Sequence, residues 1–251
     1  MLEVVEVTRR FGGVEAVSGV SLSIPRGTIT GLIGPNGAGK TTLFNLIAGT
    51  LAPSAGRITL DGRRIEHEAA HRRLARGLGR TFQIPRPFPA MTVLENVMLA
   101  APGQAGERVL PNWLAPRRVA AQERRNAARA RELIGFVTLD RLTEAPARSL
   151  SGGQHKLLEL ARVLMADPRI ILLDEPAAGV NPSLLETIID RIRALHARGI
   201  TFLLIEHDMD LVGRLCGHVH VMAAGRMLAE GAPDAVIRDP AVIDAYLGGA
   251  A

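Results

Sequence analysis

The sequence predicts an α/β fold: a parallel sheet covered by helices, an antiparallel β flank and an inserted helical subdomain. Three observations carry this. Short runs that are almost continuously apolar, Ile29–Ile33, Arg169–Leu173 and Thr201–Ile205, are separated by helical patterns, as in buried parallel strands. The early segments Leu2–Thr8, Val17–Ile24 and Arg57–Leu60 instead alternate or meet at turns such as Pro25-Arg26-Gly27 and Asp61-Gly62, which suits antiparallel strands. Residues 84–166 have a mostly helical pattern and interrupt the parallel core.

The elements follow in chain order. Ile29–Ile33 runs into the glycine-rich turn Gly34-Pro35-Asn36-Gly37-Ala38-Gly39. The helix Lys40–Gly49 then places Leu43, Leu46 and Ile47 on one face. In the helical stretch, Ala101–Gly106 and Pro111–Pro116 read as loops, and Val119–Ile134 reads as an arginine-rich helix with a solvated face. Leu150-Ser151-Gly152-Gly153-Gln154 opens a helix that reaches about Ala166. Asn181 caps a further helix with Pro182 at its first position and Gly199 at its end. Leu184, Leu185, Ile188, Ile189, Ile192 and Leu195 form its buried stripe. We expect a single domain over 1–251, with the core from 1–83 and 167–251 and the helical subdomain from 84–166.

Composition excludes several classes. A chain of 251 residues with 47% hydrophobic and 22% charged residues can bury a sizeable core and is not disordered. One cysteine, Cys216, cannot form an internal disulfide and reads as a small core residue. No apolar run exceeds five residues, far short of the roughly 20 that span a bilayer, and the first residues lack the pattern of a secretory signal. The expected address is therefore cytosolic. The net charge of +5 comes from scattered basic residues, densest at Arg63-Arg64, Arg72-Arg73 and Arg117-Arg118, and the arginines of the Val119–Ile134 helix read as a solvated face. Aromatics at 3% supply few stacking platforms for nucleic acid.

The chemistry lies at the ends of the apolar strands. Gly34–Thr41 matches G-x-x-x-x-G-K-[ST] in full, a loop whose N–H groups turn inward on phosphate oxygens at a helix N-terminus. Lys40 would reach the β and γ phosphates, and the Thr41 hydroxyl would ligate Mg²⁺. Asp174 and Glu175 leave the carboxyl end of a core strand, where ligands of such sheets bind. Asp174 would hold Mg²⁺, mostly through water, and Glu175 would polarise a water attacking the γ-phosphate. Ser151, Gly152, Gly153 and Gln154 form a second anion site at a helix N-terminus.

With these motifs in this order, the chain resembles an ATP-binding cassette (ABC) ATPase over nearly its whole length. The resemblance implies a P-loop cassette fold with a RecA-like core, with ATP and Mg²⁺ as ligands. It implies that Gln83, in Thr81-Phe82-Gln83, senses Mg²⁺ and the attacking water and links to a transmembrane partner. It likewise implies that His207 contacts the γ-phosphate and that Phe11 stacks on adenine where many members have tyrosine. Thr42 joins the phosphate-binding set. The Ser151–Gln154 signature would close over the nucleotide held by a second cassette. One loop departs from the usual Ser-Ala-Leu-Asp: here Ala178-Gly179-Val180-Asn181 keeps the capping side chain and loses the charge.

Three further stretches, Thr81–Val97, Asp174–Pro182 and Leu204–Met209, with the ending Ala245-Tyr246-Leu247-Gly248, are similar to the cassettes of branched-chain (hydrophobic) amino-acid importers. That group implies transmembrane permease subunits, a second cassette, more often a different one, and indirectly a periplasmic binding protein. It also implies a peripheral place on the cytoplasmic face of the inner membrane and no nucleic acid. Urea and lipopolysaccharide cassettes share the Asn-Pro loop, and cassettes for urea, lipid or lipopolysaccharide stay open as alternatives. A soluble ABC protein of translation or DNA repair fits less well, because the chain holds one cassette and no sustained heptads. His218 and His220 share one face of a strand, with no third metal ligand evident, and read as solvated. Trp113 packs within the helical insert or faces a partner, and His155 is expected to face solvent.

Overall fold

A computed structural model of the chain describes residues 1–81, 87–107 and 109–247. Gln83, expected to sense Mg²⁺ and the attacking water, lies outside them. The strands are β1 (Leu2–Phe11), β2 (Val14–Ile24), β3 (Ile29–Ile33), β4 (Ala55–Leu60), β5 (Arg63–Arg64), β6 (Leu78–Arg80), β7 (Ile170–Asp174), β8 (Thr201–Ile205), β9 (His218–Ala223) and β10 (Arg226–Gly231). The helices are α1 (Lys40–Ala48), α2 (Ala70–Ala75), α3 (Val93–Leu99), α4 (Val109–Leu114), α5 (Pro116–Phe136), α6 (Gly152–Leu164), α7 (Pro182–Ala197), α8 (Met209–Leu215), α9 (Pro233–Ile237) and α10 (Pro240–Leu247). They form two compact units: Met1–Arg80, Arg169–Ala177 and Ile192–Ala251 make the sheet unit, while Thr81–Pro168 and Ala178–Arg191 make the helical unit.

In the sheet unit, the large sheet has the order β10-β9-β3-β8-β7-β6. Its pairings are parallel except for β10, which lies antiparallel on β9. All five residues of β3, of β7 and of β8 are buried, the signature of strands covered on both faces. A second, antiparallel sheet has the order β2-β1-β4-β5. Its inward residues Leu2, Val4, Val20 and Ile24 pack with Leu43, Phe44 and Ile47 of α1 and with Leu32, Leu172 and Leu203 of the large sheet. The expected antiparallel flank is therefore present, and β1 runs to Phe11, longer than alternation alone suggested.

Arg73 is buried, against what a charge on its own suggests, at 1% exposed. Its Nη1 donates to the carbonyls of Leu46 and Ile47 at 2.6 and 2.7 Å, its Nε to Glu68 O at 2.9 Å and its Nη2 to Glu66 O at 3.1 Å. The end of α1 explains this. Gly49, Thr50 and Leu51 all donate their N–H groups to Asn45 O, so the next two carbonyls need another donor. Burial lowers the Arg73 pKa to about 10, which leaves the guanidinium protonated at neutral pH.

The helical unit is built on α3, α5 and α6. Thr92 and Glu95 close a capping box at the start of α3. Buried Asn96 accepts the Phe88 N–H at 2.8 Å and donates to the Phe88 and Thr92 carbonyls. The segment expected as a loop over Pro111–Pro116 is largely helical, because α4 covers Val109–Leu114. Trp113 is 81% exposed, so it does not pack in the insert. His155 is half-buried rather than free in solvent, with its Nε2 2.9 Å from the Ala147 carbonyl. In α7, Ile188, Ile189, Ile192 and Leu195 are buried as expected, while Leu184 and Leu185 are half-buried. Cys216 is buried, and desolvation pushes its thiol up to about 12.

Candidate nucleotide site

Strand register assembles the site. Leu32 of β3 and Asp174 of β7 both pair with Ile205 of the intervening β8, so three parallel strands end level. The glycine loop, Glu175 and His207 therefore leave one edge of the sheet, at the carboxyl ends of the strands.

The loop needs its glycines. Gly34 has φ +147°, and a Cβ there would overlap the Met222 carbonyl oxygen. Gly39 has φ +96°, and its Cβ would stand 2.5 Å from the Ala16 carbonyl oxygen. Ala38 is buried, and its carbonyl accepts the Gly225 N–H at 3.1 Å, which braces the loop against the β9–β10 turn. Pro35 is half-buried, while Asn36 and Gly37 face solvent. No side chain caps α1 at Gly39 and no acid sits in its first turn, so the helix presents open N–H groups and its positive end. That is the donor set for a phosphate chain.

Lys40 Nζ donates to the Gly34 and Pro35 carbonyls at 2.6 and 2.9 Å, folded back over the loop. Burial lowers its pKa, opposed by the charge of Glu175. Thr41 is exposed and Thr42 half-buried at the start of α1. Asp174 is 3% exposed, and its Oδ2 accepts Arg80 Nη2 at 3.1 Å. Arg80 Nη1 also donates to Asn45 Oδ1 at 2.6 Å, so this arginine ties the strand-end carboxylate to α1. Asp174 and Thr41 offer the hard oxygen donors that Mg²⁺ takes, and the residues fit that ion.

Glu175 adopts φ +47°, a left-handed backbone that a non-glycine residue holds only under constraint. Its N–H donates to the Ile205 carbonyl at 3.0 Å. His207 Nδ1 lies 3.8 Å from Glu175 Oε1, on a side chain that is 64% exposed. Between them sits Glu206, 1% exposed. Its carboxylate accepts the Ala177 N–H at 2.9 Å and the His207 N–H at 3.2 Å, joining the turns that carry Glu175 and His207. Burial raises the Glu206 pKa, against the lowering effect of those N–H donors. Sequence reasoning missed Glu206 and Arg80. The only signal for Glu206 was an acid directly after an apolar strand, and spacing gave none for Arg80.

Phe11 ends β1 with 44% exposure, and the Arg9 guanidinium lies 4.8 Å from its ring centroid. Ser151 and Gly152 belong to the helical unit and are exposed. The Ser151 hydroxyl accepts the Gln154 N–H at 3.4 Å, and Gln154 Oε1 accepts the Ser151 N–H at 2.8 Å. This capping box fixes the start of α6. Gly153 is buried, and a Cβ there would overlap the Leu184 side chain. Asn181 Oδ1 accepts the Leu184 N–H at 2.9 Å, the expected cap of α7.

Comparisons with known proteins identify the family and the fold. A family profile described as "ABC transporter" matches residues 17–178, and one described as "Branched-chain amino acid ATP-binding cassette transporter" matches 226–251. The chain is 40% identical to the high-affinity branched-chain amino acid transport ATP-binding protein BraF of Pseudomonas aeruginosa, over 99% of this chain and 98% of that one. It is 40% identical, with the same coverage, to the protein LivG of Salmonella typhimurium, which carries the same description. The crystal structure of a nucleotide-free ATP-binding cassette from an ABC transporter superposes with a TM-score of 0.86, at 37% identity over 98% of both chains.

Proposed function

Because this chain belongs to the ABC transporter family as an ATP-binding cassette and is an ATPase, we propose that its hydrolysis of ATP energises the import of branched-chain (hydrophobic) amino acids. The observation that carries the chemical part is the level ending of β3, β8 and β7, which gathers Lys40, Asp174, Glu175 and His207 on one edge. The substrate class rests on likeness to BraF and LivG and on the C-terminal match over 226–251.

In this reading, the loop Gly34–Thr42 holds the phosphates and Lys40 leaves its two carbonyls to meet the β and γ phosphates. Phe11 stacks on the adenine. Thr41 and Asp174 would hold Mg²⁺, which would supply positive charge to the phosphate oxygens. Glu175 takes a proton from a water as the water oxygen bonds to the γ-phosphorus. The bond from that phosphorus to the β–γ bridging oxygen breaks, and ADP and phosphate leave. His207 contacts the γ-phosphate, held near Glu175 by Glu206. Gln83 reports the state of the site to a permease.

Ser151, Gly152, Gly153 and Gln154 serve the nucleotide of a second cassette, more often a different chain, and that closure drives the permeases. A periplasmic binding protein delivers the amino acid. Among the described residues no helix is long and apolar enough to cross a membrane, so we place the chain peripherally, on permeases at the cytoplasmic face of the inner membrane.

The test is reconstitution of the chain with its permeases and partner cassette in vesicles. ATP-driven accumulation of leucine, isoleucine or valine is expected. Glu175→Gln should lower turnover by about 10²–10⁴-fold while ATP binding persists. Stimulation by urea or a lipid substrate, with none by these amino acids, would overturn the substrate class. Normal turnover by the variant would remove Glu175 from its role.

A further inference from the structure

We infer that His218, His220 and Glu230 form a binding site for a transition-metal dication of the zinc class on the β9–β10 hairpin. The two histidines lie two residues apart on β9 and share one face, their ring centroids 4.9 Å apart in an edge-on arrangement. The antiparallel register of β10 sets Glu230 directly opposite His220. That supplies the third ligand that the linear sequence did not reveal. One ligand atom from each side chain lies within 4.8 Å of the others.

His220 and Glu230 are placed to share a cation. His220 is 2% exposed, not solvated as its sequence suggested. Its Nε2 lies 3.4 Å from the Ser23 carbonyl. Its Nδ1 stands 3.0 Å from Glu230 Oε2. Nδ1 nonetheless closes no hydrogen bond among the described residues. A cation held by both Nδ1 and the carboxylate would partner each of them. A separation of 3.0 Å suits two ligand atoms on one ion with bonds of about 2.0–2.2 Å.

A carbonyl on the second ring nitrogen is also the usual support of a ligating histidine. Two imidazoles and a carboxylate are donors for zinc or its neighbours rather than for magnesium or calcium. Half-buried His218 and exposed Glu230 leave a path for entry.

The experiment is a cobalt(II) titration of the untagged full chain without nucleotide, followed by visible absorption and then by zinc displacement. One equivalent with d–d bands, displaced by zinc and not by magnesium, is expected. His218→Ala and Glu230→Gln should each weaken binding at least tenfold. Glu230→Gln changes an exposed side chain, so folding survives, and zinc should raise the melting temperature of the parent chain but not of this variant. Absence of bands at submillimolar cobalt, or equal affinity in parent and variants, would overturn the site. So would displacement by magnesium as readily as by zinc. These readouts need no ATP turnover and stand apart from the nucleotide reading.

Discussion

Arg73→Met removes the donor that closes the end of α1, the helix launched by the phosphate loop. Methionine keeps much of the length and apolar stem, so the change chiefly deletes hydrogen bonds. Four bonds to main-chain carbonyls are lost, at 2.6 to 3.1 Å. The Leu46 and Ile47 carbonyls matter most, because the neighbouring N–H groups are already committed to Asn45 O. A buried acceptor left without a donor costs about 1–3 kcal/mol, so these two give about 2–6 kcal/mol. Partial access of water to the loosened helix end pulls toward the lower figure. Urea unfolding followed by circular dichroism measures the change, and hydrogen exchange of the α1 amides locates it. Protection should fall first at the C-terminal turn of α1. Arg73→Lys keeps the charge and fewer donors, and should fall between. An Arg73→Met chain within 0.5 kcal/mol of the parent (well under the roughly 2 kcal/mol floor) with unchanged α1 exchange would refute the reasoning.

Two further outcomes follow from the same structure. Lys40→Ala deletes an ammonium poised over the loop carbonyls. A charge-assisted hydrogen bond to phosphate is worth about 1.5–3 kcal/mol, so nucleotide affinity should fall roughly 10- to 100-fold in a fluorescent-nucleotide titration, and unchanged affinity would contradict the cradle. Glu206 has a folded pKa raised above its ordinary 4.5 by burial. The unfolded chain therefore ionises first as pH rises, and stability due to this group falls between 4.5 and the raised folded value, then levels. Glu206→Gln lacks that slope, so the parent should lose stability relative to the variant across this window in pH-dependent urea melts. Parallel curves would show that burial of Glu206 carries no such cost.

Much of the site was legible in the sequence because its determinants are local. Gly34 and Gly39 announce a tight loop, Ser151 with Gln154 announces a helix start, and the apolar runs before Gly34, Glu175 and Glu206 announce covered strands. Each signal involves residues within a few positions of one another, which share a turn or a strand whatever the rest of the chain does. Arg73 was not legible for the opposite reason. Nothing near Arg73 reveals that it will meet the carbonyls of a helix more than twenty residues earlier, and charge on its own suggests exposure.

Sequence alone thus determined the strand class, the loop that can cradle phosphate and the acids that follow a core strand. Only the tertiary structure decided which side chains meet across it: Arg80 with Asp174, Glu206 between two turns, Glu230 opposite His220. Hydrogen bonds and burial depend on distance in space, and sheet register sets that distance between segments far apart in the chain. A pattern of residue types can specify a strand without specifying the strand beside it.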